Sequence, residues 1–312
     1  TAELVFNNAP AQLVGDRKLG LIKYVMSLMN GARLGVGAQS VGLAEAAYRE
    51  AVKYANEREQ FGKAIINFPQ VYEMLANMRA KTDAIRTLLY ETARSVDMYK
   101  SLEAISRERK LENDERATLK TYSRLADALT PMLKLFSSEY ANQITYDCIQ
   151  VHGGSGFMKD YACERFYRDA RILTIYEGTS QLQVVAAIRG VVSGAYVARI
   201  KEYEAIEVRD ELKPLRQTLI SLREAFEQCY EKVKEFGSSS EAFDFNSRRL
   251  VEIAGYLIMG NLLVNDANKD EMFTKSARIM TKIAQAEIEK AITYINNFDA
   301  SILEDYKSLI AE

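Results

Sequence analysis

Apolar positions along this chain recur mostly at three- and four-residue steps, the period of one face of an α-helix. Between residues 16 and 57 the stripe is Leu21, Val25, Leu28, Leu34, Val41, Ala44 and Tyr48. A second runs from 67 to 102 through Val71, Leu75, Met78 and Ile85, and a third from 115 to 151 through Leu125, Leu129, Met132, Leu135 and Phe136. The almost wholly charged residues 106–116 between them read as a solvated helix end plus linker, with no chemistry of their own. Beyond residue 200, Leu212, Leu215, Leu219, Leu222, Phe226, Cys229, Val233 and Phe236 alternate three- and four-residue steps, the spacing of a heptad seam. Gly237-Ser-Ser-Ser240 breaks the chain, and two further stripes follow: Leu250, Ile253, Leu257 and Val264, then Met280, Ile283, Ala291, Ile295 and Phe298. Three such helices close into an antiparallel bundle whose remaining apolar face packs on the preceding helices or on a neighbouring subunit.

The helical period fails in two places. Residues 1–10 read as a strand running into a loop, and since one strand cannot satisfy its own edge, its sheet is expected in a portion of polypeptide that precedes Thr1. Residues 171–176 are apolar and β-branched and predict an extended segment; after them Leu182, Val185, Ala186 and Val192 return to helical spacing. Ser180 and Gln183 have the spacing of a capping box at that helix start. Glu177 therefore lies just outside a helix N-terminus. The helix dipole there favours the carboxylate by about 0.3–1 kcal/mol, while Ile175, Tyr176 and Leu182 favour the neutral acid. The residue is either a charge on the first turn or a poised base.

Composition narrows the classes. The 312 residues suffice for two compact domains or one large one without a disulfide or metal staple. With 41 Lys+Arg against 43 Asp+Glu there is no basic excess to indicate nucleic acid or an anionic membrane as partner. Cys148, Cys163 and Cys229 are scattered and His152 is the only histidine, so neither a disulfide framework nor a common zinc site is expected; a reduced, cytoplasmic compartment fits. No apolar run approaches the roughly 20 residues of a membrane span, and no membrane insertion is expected. Gly31, Gly35, Gly37 and Gly42 interrupt the first helix, where close helix packing and close ligand approach are equally good reasons. Arg33 among them either snorkels outward or lines a ligand.

Four motifs, in order, resemble those of the acyl-CoA dehydrogenases over residues 1 to about 195. Tyr176-Glu177-Gly178-Thr179-Ser180-Gln181 followed by Leu182-Gln183 looks like the family's catalytic signature. Arg58-Glu59-Gln60-Phe61-Gly62 is similar to its arginine motif, Gln150-Val-His-Gly-Gly-Ser-Gly-Phe157 to its glycine loop, and the Arg33 turn to its substrate-lining helix. The resemblance implies an all-α fold: an antiparallel four-helix bundle over residues 16–199, a small helical bundle over 200–312 like the extension of larger bacterial members, and a short β remnant of a middle domain over 1–15. It implies FAD as cofactor, with Arg58, Gln60 and Phe61 reaching the diphosphate and adenine portion held by an adjacent subunit. Gln150, Gly153 and Gly154 would lie against the adenosine diphosphate part, with Thr179 and Gln181 adding contacts. Asn30, Arg33, Tyr176 and Gly178 would line the acyl-CoA pocket. His152 reads as a helix-end residue without a catalytic role.

The implied reaction is α,β-dehydrogenation of an acyl-CoA thioester. Glu177 takes the α-proton while a hydride leaves the β-carbon for the flavin, and hydrogen bonds to the thioester carbonyl, one from the Glu177 amide, stabilise the enolate-like charge. Some members carry the base near the position of Ala32, which cannot serve. Implied partners are an electron-transfer flavoprotein and further copies of the chain, in a homodimer or homotetramer. A flavin acyl-CoA oxidase and a non-catalytic helical assembly module are the competing readings. With the other walls of the flavin site outside this sequence, residues 1–312 are expected to fold yet hold FAD weakly or not at all, and to show no dehydrogenase activity alone.

Overall fold

The computed structural model describes residues 2–238 and 240–311, apart from the side chains of residues 21–23, 26 and 27. Thr1 of the expected strand, Leu21 of the first stripe and Ser239 of the expected break lie outside that description. Three long helices come first: α1 (Met26–Glu57), α2 (Pro69–Glu108) and α3 (Asn113–His152). A single π-helical segment, Gly20–Val25, leads into α1. Pro69 starts α2 where a missing N–H costs nothing. Glu112 and Glu115 form a reciprocal capping box at the start of α3, so the charged stretch is shorter as a linker than its composition suggests.

Ala44, Ala47, Ala51 and Ala55 are fully buried on α1, and their small side chains let α2 and α3 approach. At Gly37 a Cβ would stand 2.7 Å from Leu133, whereas at Gly31, Gly35 and Gly42 it would meet nothing. Close helix packing therefore explains Gly37 alone. Val25 and Leu28 stay exposed, so the first stripe packs only beyond them.

The fourth helix of the bundle, α6 (Ser180–Val192), packs on α3. Before it lie the short helices α4 (Gly154–Phe157) and α5 (Ala162–Ala170) and a 3-10 turn over Arg171–Thr174. That turn corrects the extended segment expected there: Leu173 is 4% exposed and packs with Val36, Ala141 and Ala170, so burial of one apolar residue overrides local β propensity. The N-terminal strand is corrected as well. Residues 2–14 carry no strand, and Leu4, Val5, Phe6, Leu13 and Val14 are exposed, because no neighbouring strand completes a ladder. Among the described residues the only sheet is the pair β1 (Glu59–Gln60) and β2 (Lys63–Ala64), antiparallel around Phe61 and Gly62.

Beyond the bundle come α7 (Ala195–Glu204), α8 (Lys213–Glu235), α9 (Glu241–Lys269), α10 (Thr274–Asn296) and α11 (Ile302–Ala311). The heptad seam is buried from Leu212 to Val233, with Leu215 half-buried and Phe236 left at 38% exposure. α9 packs against α2, α6, α7, α8 and α10, so Leu250, Ile253, Leu257 and Val264 have no exposed surface. By length and composition α9 is apolar enough to cross a membrane, contrary to the expectation from the run lengths, but 83% of its apolar window is buried within the protein. It is the core helix of this part. The apolar face left open by the sequence packs on the first bundle, and Leu129, Met132, Leu257 and Ile288 belong to one continuous core. Polar ties cross the same junction: Tyr196 donates to the Ala128 carbonyl at 2.6 Å, and Ser276 to Asp83 at 2.7 Å, where Arg79 and Arg86 also converge.

Candidate functional site

The chain leaves the 3-10 turn through two residues with left-handed backbone, Glu177 at φ +57° and Gly178 at φ +95°. A glutamate in that region costs about 1–2 kcal/mol and persists only where the surroundings impose it. Here three side chains do so. Arg33 Nε donates to the Glu177 carbonyl at 3.1 Å, Lys134 Nζ to the Gly178 carbonyl at 2.7 Å, and Gln183 Nε2 to both, at 3.3 and 2.9 Å. A Cβ on Gly178 would stand 2.9 Å from Gln183 Nε2, so glycine is required there twice over. The Glu177 carboxylate itself has no hydrogen bond or ion pair among the described residues.

The helix start differs from the expected box. Thr179 is the N-cap and its hydroxyl accepts from the Leu182 amide at 3.5 Å, while Ser180 is the first helical residue. The Ser180 hydroxyl is 4% exposed and donates instead to Glu139 at 2.6 Å, which removes it from capping, and the Gln183 amide is taken by the loop carbonyls. Around the turn, Arg33 Nη1 donates to Asn30 Oδ1 at 3.3 Å, and the Tyr176 hydroxyl donates to Gln39. Asn30, Arg33, Tyr176, Glu177 and Gly178 thus meet in one place. Burial lowers the Arg33 pKa, opposed by the Glu177 charge, and Arg33 lines this turn rather than snorkelling outward. Burial raises the Tyr176 phenol, and Glu177 adds to the shift. Lys134, fully buried, is pushed down to about 8 by burial and by Arg33, against the pull of Glu139 and Glu177. Sequence reasoning missed Lys134 and Gln39; the one available signal was a lysine inside the apolar run Pro131-Met-Leu-Lys-Leu-Phe136.

A second group forms at the far end of α1 and α3. Arg58 and Gln60 face Gln150, Gly153 and Gly154 across an open cavity of about 660 Å³ that Tyr54 also lines. Arg58 Nη2 donates to Gln60 Oε1 at 3.2 Å and, among the described residues, has no carboxylate partner. Phe61 does not line this cavity: it is 86% exposed, at φ +51°, edge-on to Phe68. His152 is buried, its Nδ1 donates to the Cys148 carbonyl at 2.7 Å, and it stacks on Tyr54. The cysteines are less scattered than the sequence suggests, since the fold brings the potential ligand atoms of Cys148, His152 and Cys163 within 4.8 Å of one another. Burial raises both thiols above their ordinary range.

Thr179 and Gln181 belong to neither group's interior; Gln181 is exposed and lines a smaller cavity of about 360 Å³ between α6 and α9 with Val185 and Arg248. Arg58 follows Arg33 by about 25 residues on α1 and Gln150 follows Lys134 by about 16 on α3, which at 1.5 Å per residue puts the Glu177 turn and the Arg58 cavity roughly 24–37 Å apart along the bundle. The turn sits near the start of α1 and against the middle of α3, and the cavity sits at the C-terminal ends of both helices.

Known families and solved structures match this chain. The family model described as Acyl-CoA dehydrogenase, C-terminal domain, matches residues 22–191, and that described as Acyl-CoA dehydrogenase C terminal matches residues 192–303. A 3-(aryl)acrylate reductase of Clostridium sporogenes is 37% identical over 186 residues, 59% of this chain and 43% of that protein. The structure of an acyl-CoA dehydrogenase complexed with FAD from Bacillus anthracis matches with a TM-score of 0.67 at 25% identity, covering 91% of this chain and 52% of that one. Caenorhabditis elegans ACDH-11, in complex with C11-CoA, shares the fold at a TM-score of 0.71 and 21% identity, covering 92% and 50%. The chain thus spans about half the length of these solved structures and less of the curated relative, and both structural matches include the helices beyond residue 200.

Proposed function

The chain belongs to the acyl-CoA dehydrogenase family, and from that premise we propose that it forms the helical, base-bearing part of an FAD-dependent acyl-CoA dehydrogenase in which Glu177 is the general base. The observation that carries this reading is a carboxylate with no partner of its own, mounted on a left-handed turn whose two carbonyls are pinned from inside. A base must be free of competing donors yet fixed in position, and this arrangement supplies both. Glu177 takes the α-proton of an acyl-CoA thioester, and the water-poor surroundings of Arg33 and Tyr176 strengthen hydrogen bonds to the developing enolate. Asn30, Arg33, Tyr176 and Gly178 form the wall along which the thioester lies.

Bound FAD supplies the acceptor for the β-hydride. The residues at the far cavity fit it: although Glu57 also lines the cavity, Arg58 has no ion pair among the described residues, and its guanidinium beside two glycines that would meet nothing if enlarged suits a diphosphate, whose paired oxygens match planar donors. Arg58, Gln60, Gln150, Gly153 and Gly154 would hold the diphosphate and adenine portion, with Phe61 covering it and Thr179 and Gln181 contacting the flavin near the base. Because the cavity lies at the C-terminal ends of α1 and α3, well along the bundle from the Glu177 turn, a single chain would contribute to two flavin sites, in keeping with a homodimer or a homotetramer. Electrons then pass to an electron-transfer flavoprotein. The same base serves the reverse reduction, the direction named for the Clostridium sporogenes relative. Residues 16–199 are assigned to the four-helix domain and 200–312 to an extension without catalytic residues that supports assembly.

The test is spectroscopic. The intact protein, purified and scanned, should show a flavin spectrum that bleaches anaerobically with members of an acyl-CoA panel. Absence of flavin, or no bleaching with any member, would favour the assembly module, and peroxide formed in air at the rate of bleaching would favour an oxidase.

A further inference from the structure

Lys134 is fully buried in the middle of α3 and, among the described residues, forms no ion pair. Its one hydrogen bond runs to the carbonyl of Gly178, 2.7 Å away. A cationic amine without a paired carboxylate is among the costliest groups to bury, and an apolar residue of the same volume would pack the slot at no such cost. The charges that face it come from three elements: Arg33 on α1, Glu139 on α3 and Glu177 on the loop, with Arg248 of α9 behind Glu139 at 3.7 Å. Neither carboxylate is within hydrogen-bond reach of Nζ, so the ammonium is spent on the loop backbone.

The consequence follows from peptide geometry. In a trans peptide the N–H points opposite to the carbonyl. With the Glu177 and Gly178 carbonyls both drawn inward by Arg33, Gln183 and Lys134, the Gly178 and Thr179 amides are turned the other way. The backbone that carries Glu177 is held in its left-handed state by this grip.

We propose that Lys134 is a positioning residue for Glu177, its ammonium clamping the Gly178 carbonyl so that the base is presented at one fixed geometry. This rests on the reading of Glu177 as the base. Loss of the Lys134 proton converts a charge-assisted bond into an ordinary one, roughly half as strong, so turnover should fall as pH rises through about 8.

The experiment uses the intact flavoprotein and three variants, Lys134→Met, Lys134→Gln and Glu177→Gln, each assayed for kcat and acyl-CoA binding from pH 6 to 10. Lys134→Met should bind flavin and acyl-CoA within about threefold of the native protein, lose about 10- to 100-fold in kcat, and lack the alkaline fall. Lys134→Gln, which restores a donor without charge, should recover part of the rate and still lack the fall. A native kcat that stays level through pH 8–9, or a Lys134→Met rate within about twofold of native with the alkaline fall intact, would overturn the proposal; the native profile decides it even if both lysine variants fail to fold. If Glu177→Gln turns over normally, the assignment of the base fails instead. A dead Glu177→Gln beside a native-like Lys134→Met rejects the clamp alone.

Discussion

Around Glu177, near the start of α1 and the middle of α3, the supporting side chains of Arg33, Lys134 and Gln183 are buried and bonded to the turn; at the C-terminal ends of the two helices Arg58 and Gln60 are exposed, their side chains bonded to each other. Arg33, Lys134 and Gln183 together hold two loop carbonyls, while the Arg58 side chain has only Gln60 and faces an open cavity of about 660 Å³. The first arrangement is organised before any ligand arrives, as a group that must move a proton at a fixed distance requires. The second leaves the Arg58 guanidinium without an ion pair among the described residues, which suits the proposed grip on the far end of a cofactor. On the proposed reading one helix pair serves chemistry at the turn and cofactor binding at its C-terminal ends, and mutations at the two places should separate into effects on rate and effects on affinity.

The largest effect expected from breaking this division is at the turn. Gly178→Ala forces a Cβ into a left-handed position 2.9 Å from Gln183 Nε2. It should lower kcat by about 100-fold and stability by about 1–2 kcal/mol, with flavin affinity unchanged, as read by steady-state kinetics, denaturant melts and flavin titration. Next, Arg58→Ala removes a charged donor from the cavity and should raise the Kd for flavin about tenfold, leaving kcat at saturating flavin within about twofold. A loss of rate without loss of affinity there would erase the distinction between the two ends.

A further effect is on the pH dependence of stability. Lys134 has a native pKa near 8 against an ordinary value of 10.5. Between those values the unfolded chain binds more protons than the folded one, so stability rises with pH across the window, and the penalty of the buried charge is fully present below it. Urea melts at pH 7 and pH 10 should show the gap between Lys134→Met and the native protein narrowing as pH rises.

The legibility of these features in the sequence divides along the same physical line. The seam from Leu212 to Val233 was readable because heptad spacing is a local property, and burial agrees with it almost throughout. The chain positions of Glu177 and Arg58 were readable because their motifs are contiguous. What depended on distant partners was not. Residues 171–176 look extended until Leu173 finds Val36 and Ala141, and Ser180 looks like a cap until Glu139 takes its hydroxyl. Lys134 looks like a stray charge until the fold sets it beneath Gly178, 44 residues away. The apolar stripe of α9 fits either a soluble bundle or a membrane span, and only the helices packed around it decide between them.

The most direct test of the central claim is rapid mixing of the intact Glu177→Gln protein with an acyl-CoA that bleaches the native flavin. The amide keeps the shape of the side chain and loses its basicity. The account predicts flavin content and acyl-CoA affinity within about threefold of native and bleaching slower by about 10²–10⁴. Bleaching at close to the native rate would contradict it, and the proton would have to leave by another residue.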